Sequence, residues 1–336
     1  MRAHRGRRAG PLAIVLLLAG LLSASCSSAG EAGTSRTLTV YGFSILGEVM
    51  NKAIFPAFAE KRRRERGERI EFFGAFAGSG TVTNQMLFGA PAQVAILSLE
   101  LDALRLRKAQ VARTDWHTFP HRGVVNRTPF IIVTRPGNPK GIRGFHDLAR
   151  PGVAIAHPDP LTSGGALWAI LAEYASVTIT GGTPAEAEAQ LLGIWRNVRY
   201  QAGSARAVRT QFEAGFGDAL ITYEQETLSR PIKGTVVFPP STILSEHIAV
   251  LVDRNVRSQD REMVEAFLKF LWSSEAQRVF VKFGFRSVDE RLNAGNTNFG
   301  AIARPFTVAD LGGWPAAYAA IVERVWKRRV LPEVRK

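Results

Sequence analysis

The chain has 336 residues, enough for about two domains at ~100–200 residues each. Apolar residues make up 46% and charged residues 21%, which excludes wholesale disorder, collagen-like repeats and a low-complexity scaffold. One cysteine excludes a disulfide framework or a thiolate metal cluster. The formal charge of +14 admits a nucleic-acid partner, a membrane surface, or nothing more than arginine-rich coding. Four of those charges sit in the first eight residues, and the remaining arginines are scattered rather than blocked.

Arg2, Arg5, Arg7 and Arg8 form a basic head, followed by a nearly unbroken apolar run from Pro11 to Leu22 and the small residues Ser23-Ala24-Ser25-Cys26. Head, short apolar core and small residues are the parts of an export signal. The run is short for a spanning helix, which needs ~20 residues. Residues 1–25 are therefore expected to be removed. Cys26 resembles the acylated cysteine of bacterial lipoproteins, although Leu22 stands one place early. Ser23 and Ser25 equally suit an ordinary signal peptidase cutting at the same bond. Arg7-Arg8 reads as head charge rather than a twin-arginine signal.

Beyond this address, residues 37–41 alternate as a strand does. Residues 48–60 carry apolar positions at helical spacing, with Pro56 expected to kink or split the helix. The basic run 61–66 reads as its solvated end. Strands are expected over 69–73, 94–97, 130–134, 153–156, 198–200, 219–222, 236–238 and 248–252. Helices are expected after Gly78-Ser79-Gly80, over 101–108 and 145–148, after Ser163-Gly164-Gly165, over 184–195 with Thr183 as cap, after Gly203-Ser204-Ala205, and over 262–271. Ser274 has the spacing of a capping box that starts another. Alternating strand and helix argues for parallel α/β layers. Two such units are expected: lobe I over 36–125 plus 241–336, and lobe II over 126–240. Crossings near 119–130 and 238–250 would make the hinge of a clamp.

Gly78-Ser79-Gly80, Ser163-Gly164-Gly165 and Gly203-Ser204-Ala205 each follow a strand-like stretch and precede a helix. Helix N-termini expose unpaired N–H groups and the positive end of the helix dipole. Small residues let an anion approach those groups, and serine adds a hydroxyl donor. Ordinary capping accounts for any one of these turns taken singly. Three facing one cleft would hold a compact oxyanion without a formal cation.

Other constellations carry less. There is no GxxxxGK, GxSxG or HExxH pattern in the chain. His117 and His121 are separated by Pro120 and read as surface or hinge residues. Asp159 reads as a turn cap, and Arg206 as a salt-bridge residue within reach of an anion. The tryptophans mostly read as core. No basic stripe with interleaved aromatics marks a nucleic-acid groove.

The chain resembles the bacterial periplasmic sulfate-binding proteins, the solute receptors of sulfate/thiosulfate ABC importers. Besides the three turns, the matching stretches are 137–142, 151–153, Pro158-Asp159-Pro160-Leu161-Thr162-Ser163-Gly164-Gly165-Ala166-Leu167-Trp168, 217–226, 241–246, 306–308 and Gly312-Gly313-Trp314. They run in family order over about 36–320. The resemblance implies an α/β type II periplasmic-binding fold, with two lobes joined by two hinge crossings and closing over a dehydrated sulfate. It implies backbone donors at Ser79, Gly164, Gly165 and Ala205, and a hydroxyl donor at Ser163. The family's tryptophan donor falls on Tyr223, whose phenol could donate instead. The family's opening Ser-Tyr-Asp falls near Gly42-Phe43-Ser44, where Phe43 or Ser44 could still supply a backbone N–H. The arginine that usually precedes the conserved tryptophan of the motif is Leu167.

A site of donors only suits an oxyanion that carries no proton, and no carboxylate stands at the matched positions. Asp159 is the nearby acid that could overturn this. The expectation is an exported, monomeric, non-enzymatic receptor for sulfate or thiosulfate, without a cofactor, metal or nucleic-acid partner, that delivers to a membrane permease. The alternatives are the same clamp for phosphate, molybdate or tungstate, an exported enzyme on the same fold, and a basic interaction protein.

Overall fold

The computed structural model describes residues 35–335, so the export segment and Cys26 lie outside the described residues. The chain opens on β1 (Ser35–Phe43) and turns through Ser44–Leu46 and α1 (Gly47–Val49). A wide turn at Met50–Ile54 leads into α2 (Phe55–Arg66) and then β2 (Arg69–Ala77). Pro56 sits in the first turn of α2, where its missing N–H costs nothing, and the wide turn before it absorbs the expected kink. Gly67, at φ 68°, ends α2 in the left-handed conformation. The basic end of α2 is only partly solvated: Arg62 is buried and pairs with Glu68 and Glu262.

α3 (Ser79–Leu87), β3 (Val94–Leu97) and α4 (Glu100–Lys108) complete the first alternation, and β4 (Val124–Thr134) crosses out of it. The second alternation runs α5 (Phe145–Leu148), β5 (Ile155–Pro158), α6 (Gly164–Thr178), α7 (Pro184–Asn197), β6 (Val198–Ala202), α8 (Ala205–Glu213), β7 (Ala219–Tyr223), α9 (Glu224–Ser229) and β8 (Thr235–Val237). Thr183 caps α7 in a reciprocal box with Glu186, and Pro184 occupies the first turn. β9 (Ser241–Leu251) returns, followed by α10 (Arg261–Leu271), α11 (Ser274–Lys282), β10 (Arg304–Phe306) and α12 (Gly313–Ala317). A wide helical stretch, Tyr318–Val330, and α13 (Leu331–Val334) close the chain. The cap of α11 is Ser273, one residue before the expected Ser274; its hydroxyl accepts from the Ala276 N–H at 3.2 Å.

The strands form one ten-stranded sheet in the order β2-β1-β3-β9-β4-β7-β5-β6, with β10 on β9 and β8 on β4. It is mixed rather than purely parallel. β1 runs parallel to β2 and β3, β5 to β6 and β7, and β10 to β9, but β4 is antiparallel to β7, β8 and β9, and β9 is antiparallel to β3. These two 11-residue strands are longer than the sequence pattern suggests, and each serves both halves. The first part of β4, up to Pro129, pairs with β9, and its last part, from Phe130, pairs with β7. The last part of β9 pairs with β3. Two α/β halves are thus joined through two crossing strands.

Phe55, Phe58, Phe72 and Phe267 pack ring on ring beneath the first half. In the second half, Trp168 meets Trp314 edge-on at 4.4 Å, and Trp195 meets Trp326 at 4.9 Å. These last contacts, with the Arg329–Glu188 pair at 2.7 Å, lay the C-terminal helices on α6 and α7. The end of the chain therefore packs on helices of the second half, while α12 also touches α4 of the first.

Candidate functional site

Every ligand-binding residue expected from the sequence stands where a strand hands over to a helix. Phe43 ends β1 and precedes the turn Ser44–Leu46. Gly78 follows β2, and Ser79 begins α3. Ser163 is the residue before α6, and Gly164 and Gly165 are its first two. Ser204 precedes α8, and Ala205 begins it. Tyr223 ends β7 and precedes α9. β1, β2 and β3 are parallel, as are β5, β6 and β7, so these handovers gather at the carboxyl ends of the two strand sets, where α/β proteins bind ligands.

The handovers converge. A Cβ on Gly78 would stand 2.4 Å from the carbonyl oxygens of both Thr162 and Gly203, so glycine alone lets the start of α3 touch the starts of α6 and α8. The Gly80 N–H donates to Thr162 O at 3.1 Å, and Thr162 Oγ1 donates to Gly203 O at 3.1 Å. α8 also packs on the turn Ser44–Leu46 that follows β1. Gly165 lies against the Tyr223 hydroxyl, 3.0 Å from where its Cβ would be. Phe43, Ser79, Ser163, Gly164, Gly165, Ala205 and Tyr223 are all buried, and Ser44 is half-buried. The three Ser/Gly turns, Tyr223 and the end of β1 are thus brought together in one buried cluster.

The serines differ in what they hold. Ser204 Oγ accepts from the Ala207 N–H, an ordinary cap. Ser163 makes no capping bond, so its hydroxyl is uncommitted to the helix. Ser79 Oγ donates to Asp102 Oδ2 at 2.7 Å and accepts from the Ser98 N–H at 3.1 Å. A carboxylate therefore does stand beside a matched position, a correction to the expectation from sequence. Burial pushes the Asp102 carboxyl above its ordinary range, against the pull of the Ser79 hydrogen bond. Its other oxygen accepts from Arg105 at 3.0 Å. Asp159 behaves as a cap: its Oδ1 accepts from the Leu161 N–H, and its carbonyl accepts from the Thr162 and Ser163 N–H groups. Arg206 is spent on Glu226 at 2.8 Å, so this cation of α8 is a structural partner. His117 is tied to Glu100 and Asp115.

Ser98, between β3 and α4, is the residue that sequence reasoning missed. Its hydroxyl lies 2.9 Å from the Tyr223 hydroxyl, its carbonyl accepts from the Trp168 indole at 2.7 Å, and its N–H serves Ser79. Gly164 packs against its side chain. The only sequence signal for it is a polar residue just after an apolar strand. Burial pushes the Tyr223 phenol upward, so it remains protonated. A cavity of about 520 Å³ opens between α3, α4 and the start of α6, lined by Gly80, Asp102, Thr162, Ser163, Gly164 and Leu167 among others. Among the described residues no cluster of His, Cys, Asp or Glu has the makings of a metal site, and no helix is long and apolar enough to cross a membrane.

A two-part α/β fold with helix starts gathered where its halves meet is the architecture of a solute receptor. The family described as bacterial extracellular solute-binding protein matches residues 38–286. A sulfate-binding protein of Synechococcus elongatus is 35% identical over 90% of this chain and 88% of its own length. A thiosulfate-binding protein of Pseudomonas aeruginosa is 29% identical over 79% of this chain and 82% of its own. The solved sulfate-binding protein SubI of Mycobacterium tuberculosis superposes with a TM-score of 0.77 at 30% identity, covering 84% of this chain and 98% of that one. The chain belongs to the bacterial extracellular solute-binding proteins, within the sulfate-binding protein family.

Proposed function

We infer that the protein captures sulfate or thiosulfate between two lobes and delivers it to an ABC importer without chemically changing it. The carrying observation is the meeting of three helix starts at Gly78, Thr162 and Gly203, with the Ser163 hydroxyl and the Tyr223 phenol beside them. Stripping water from a dianion costs tens of kcal/mol unless fixed donors replace it. Charge-assisted bonds from N–H groups of Phe43 or Ser44, Ser79, Gly164, Gly165 and Ala205, with the hydroxyls of Ser163 and Tyr223, would do so. Arg206 is paired away, so the cradle works by dipoles rather than a formal cation. Asp102 does not turn the site toward phosphate. Its oxygens already accept from Ser79 and Arg105, so it serves as a partner of α3 and α4 rather than as a free acceptor aimed at the anion.

In this reading residues 1–25 direct export, and Cys26 becomes the N-terminus, acylated or simply cleaved. The receptor works as a monomer in the periplasm or on the outer face of the envelope. Lobe I comprises 36–125 plus 241–336, lobe II comprises 126–240, and β4 and β9 are the hinge.

One thermal-shift panel tests the ligand. A ligand that binds only the folded state adds about 2.7 kcal/mol at 100 times its Kd, a shift of a few degrees. Sulfate or thiosulfate gives that shift at low concentration, with phosphate much weaker at neutral pH. A shift with phosphate or molybdate alone replaces this reading with the same clamp for another oxyanion.

A further inference from the structure

We propose that Ser98 is a positioning residue that polarises the Tyr223 hydroxyl, so that this edge of the cradle donates to the bound anion and discriminates against oxyanions carrying a proton. The proposal rests on the anion-binding reading above and names the selectivity of that site.

The two hydroxyl oxygens are 2.9 Å apart, and Ser98 and Tyr223 are each 1% exposed. Only one proton can lie on the line between them. If Tyr223 donates to Ser98, the serine's own proton is left without an acceptor in a buried place, and a phenol lone pair faces the ligand. If Ser98 donates to Tyr223, the phenol proton is free to point toward the start of α6, where Gly165 lies against Oη. An anion there accepts it, and both protons are satisfied. Leaving a buried hydroxyl unpaired is the costlier arrangement, and a chain of two donors strengthens the second. The phenol stays protonated because burial raises its pKa, so it is always a hydroxyl and never an anion.

The consequence concerns the ligand's protons. Sulfate has none near neutral pH and accepts from Tyr223 in the favoured arrangement. A hydrogen phosphate dianion that turns its P–OH toward Tyr223 forces the pair to reverse, which strands the Ser98 proton. Ser98→Ala removes only the hydroxyl, since the bonds to Ser79 and Trp168 use the Ser98 backbone.

Titration calorimetry of wild type, Ser98→Ala, Tyr223→Phe and the double variant, with sodium sulfate and separately with potassium phosphate at pH 7.5, tests this. Ser98→Ala weakens sulfate by about three- to tenfold. It leaves hydrogen phosphate within about twofold, because the stranded proton merely moves to Tyr223. In the Tyr223→Phe background, Ser98→Ala adds no more than about twofold, since the serine acts through the phenol. Ser98→Thr restores the sulfate value. Ser98→Cys, a weaker donor, shows the same narrowing in smaller measure and reads the relay if the alanine variant does not fold. An unchanged sulfate value, equal losses for the two anions, or additive losses in the double variant overturns the proposal while leaving the receptor reading intact. A wild type that binds neither sulfate nor thiosulfate overturns both.

Discussion

The Ser79 hydroxyl donates to Asp102 Oδ2 over 2.7 Å, and that bond decides which part of Ser79 is left for a ligand. Its proton is committed, and its lone pair is met by the Ser98 N–H. Only its backbone N–H, at the open start of α3, remains. Ser163 stands at the corresponding place on α6 with its hydroxyl free of the helix.

The two serines should therefore respond in opposite ways to the same change. Ser163→Ala weakens sulfate by roughly 1.5–3 kcal/mol, the worth of a hydrogen bond to a charged group, and barely moves the melting temperature of the ligand-free protein. Ser79→Ala leaves sulfate affinity within about threefold but destabilises the ligand-free fold by about 1–3 kcal/mol, because buried Asp102 loses a donor. Calorimetry and ligand-free melting of both variants read this. Equal affinity losses for the two would mean that the Ser79 hydroxyl reaches the ligand after all.

Gly78→Ala tests closure. The new methyl would lie 2.4 Å from two carbonyl oxygens, on Thr162 and Gly203, and backbone cannot swing aside as a long side chain can. The starts of α3, α6 and α8 are then held apart. Small-angle scattering of wild type at saturating sulfate shows a modest decrease in radius relative to the ligand-free state. The variant shows none, and binds at least about tenfold more weakly. A variant that contracts like wild type would remove Gly78 from the closing contact.

Much of this site could be read from the chain because its chemistry is local. A Gly/Ser turn between a strand and a helix creates open N–H groups whatever else the protein does, and all three turns lie at helix starts as their spacing predicts. The capping of α7 by Thr183 is equally local. What the chain hides is tertiary. Asp102 lies in an arginine-rich helix with nothing in its pattern to mark it, and the packing of α4 on α3 buries it against Ser79. Ser98 carries no glycine to mark it, and its importance comes from Tyr223 and Trp168, 125 and 70 residues away. β4 and β9 exceed their expected lengths because Asn126, Thr128, Ser245 and His247 interrupt the apolar pattern, yet all four are buried. Ser245 bonds across to Thr128 O, and His247 bonds to Asn126.

That polar group in the crossing strands carries the last prediction. His247 is fully buried, with Nδ1 2.6 Å from Asn126 Oδ1 and Nε2 3.2 Å from Ser245 Oγ. Its ring lies 4.3 Å from that of Phe43, at the end of β1, and 5.8 Å from Tyr223. Burial pushes its pKa from 6.5 down to about 3. The folded state therefore keeps this ring neutral where the unfolded chain binds a proton. Its contribution to stability is complete above pH 6.5 and is lost as pH falls from there toward 3, by about 2 kcal/mol at pH 5. Buried Asp102 and Glu226, whose carboxyls are raised by burial, have the opposite sign and lose stability as pH rises through their folded pKa values. A direct comparison of wild type with His247→Gln cancels them. Urea unfolding of both proteins at pH 7.5, 6 and 5 should show wild type ahead at pH 7.5, with its lead shrinking by about 2 kcal/mol at pH 5. A lead that stays constant across that range would mean that His247 is protonated in the folded protein, and that the crossing strands carry a buried charge.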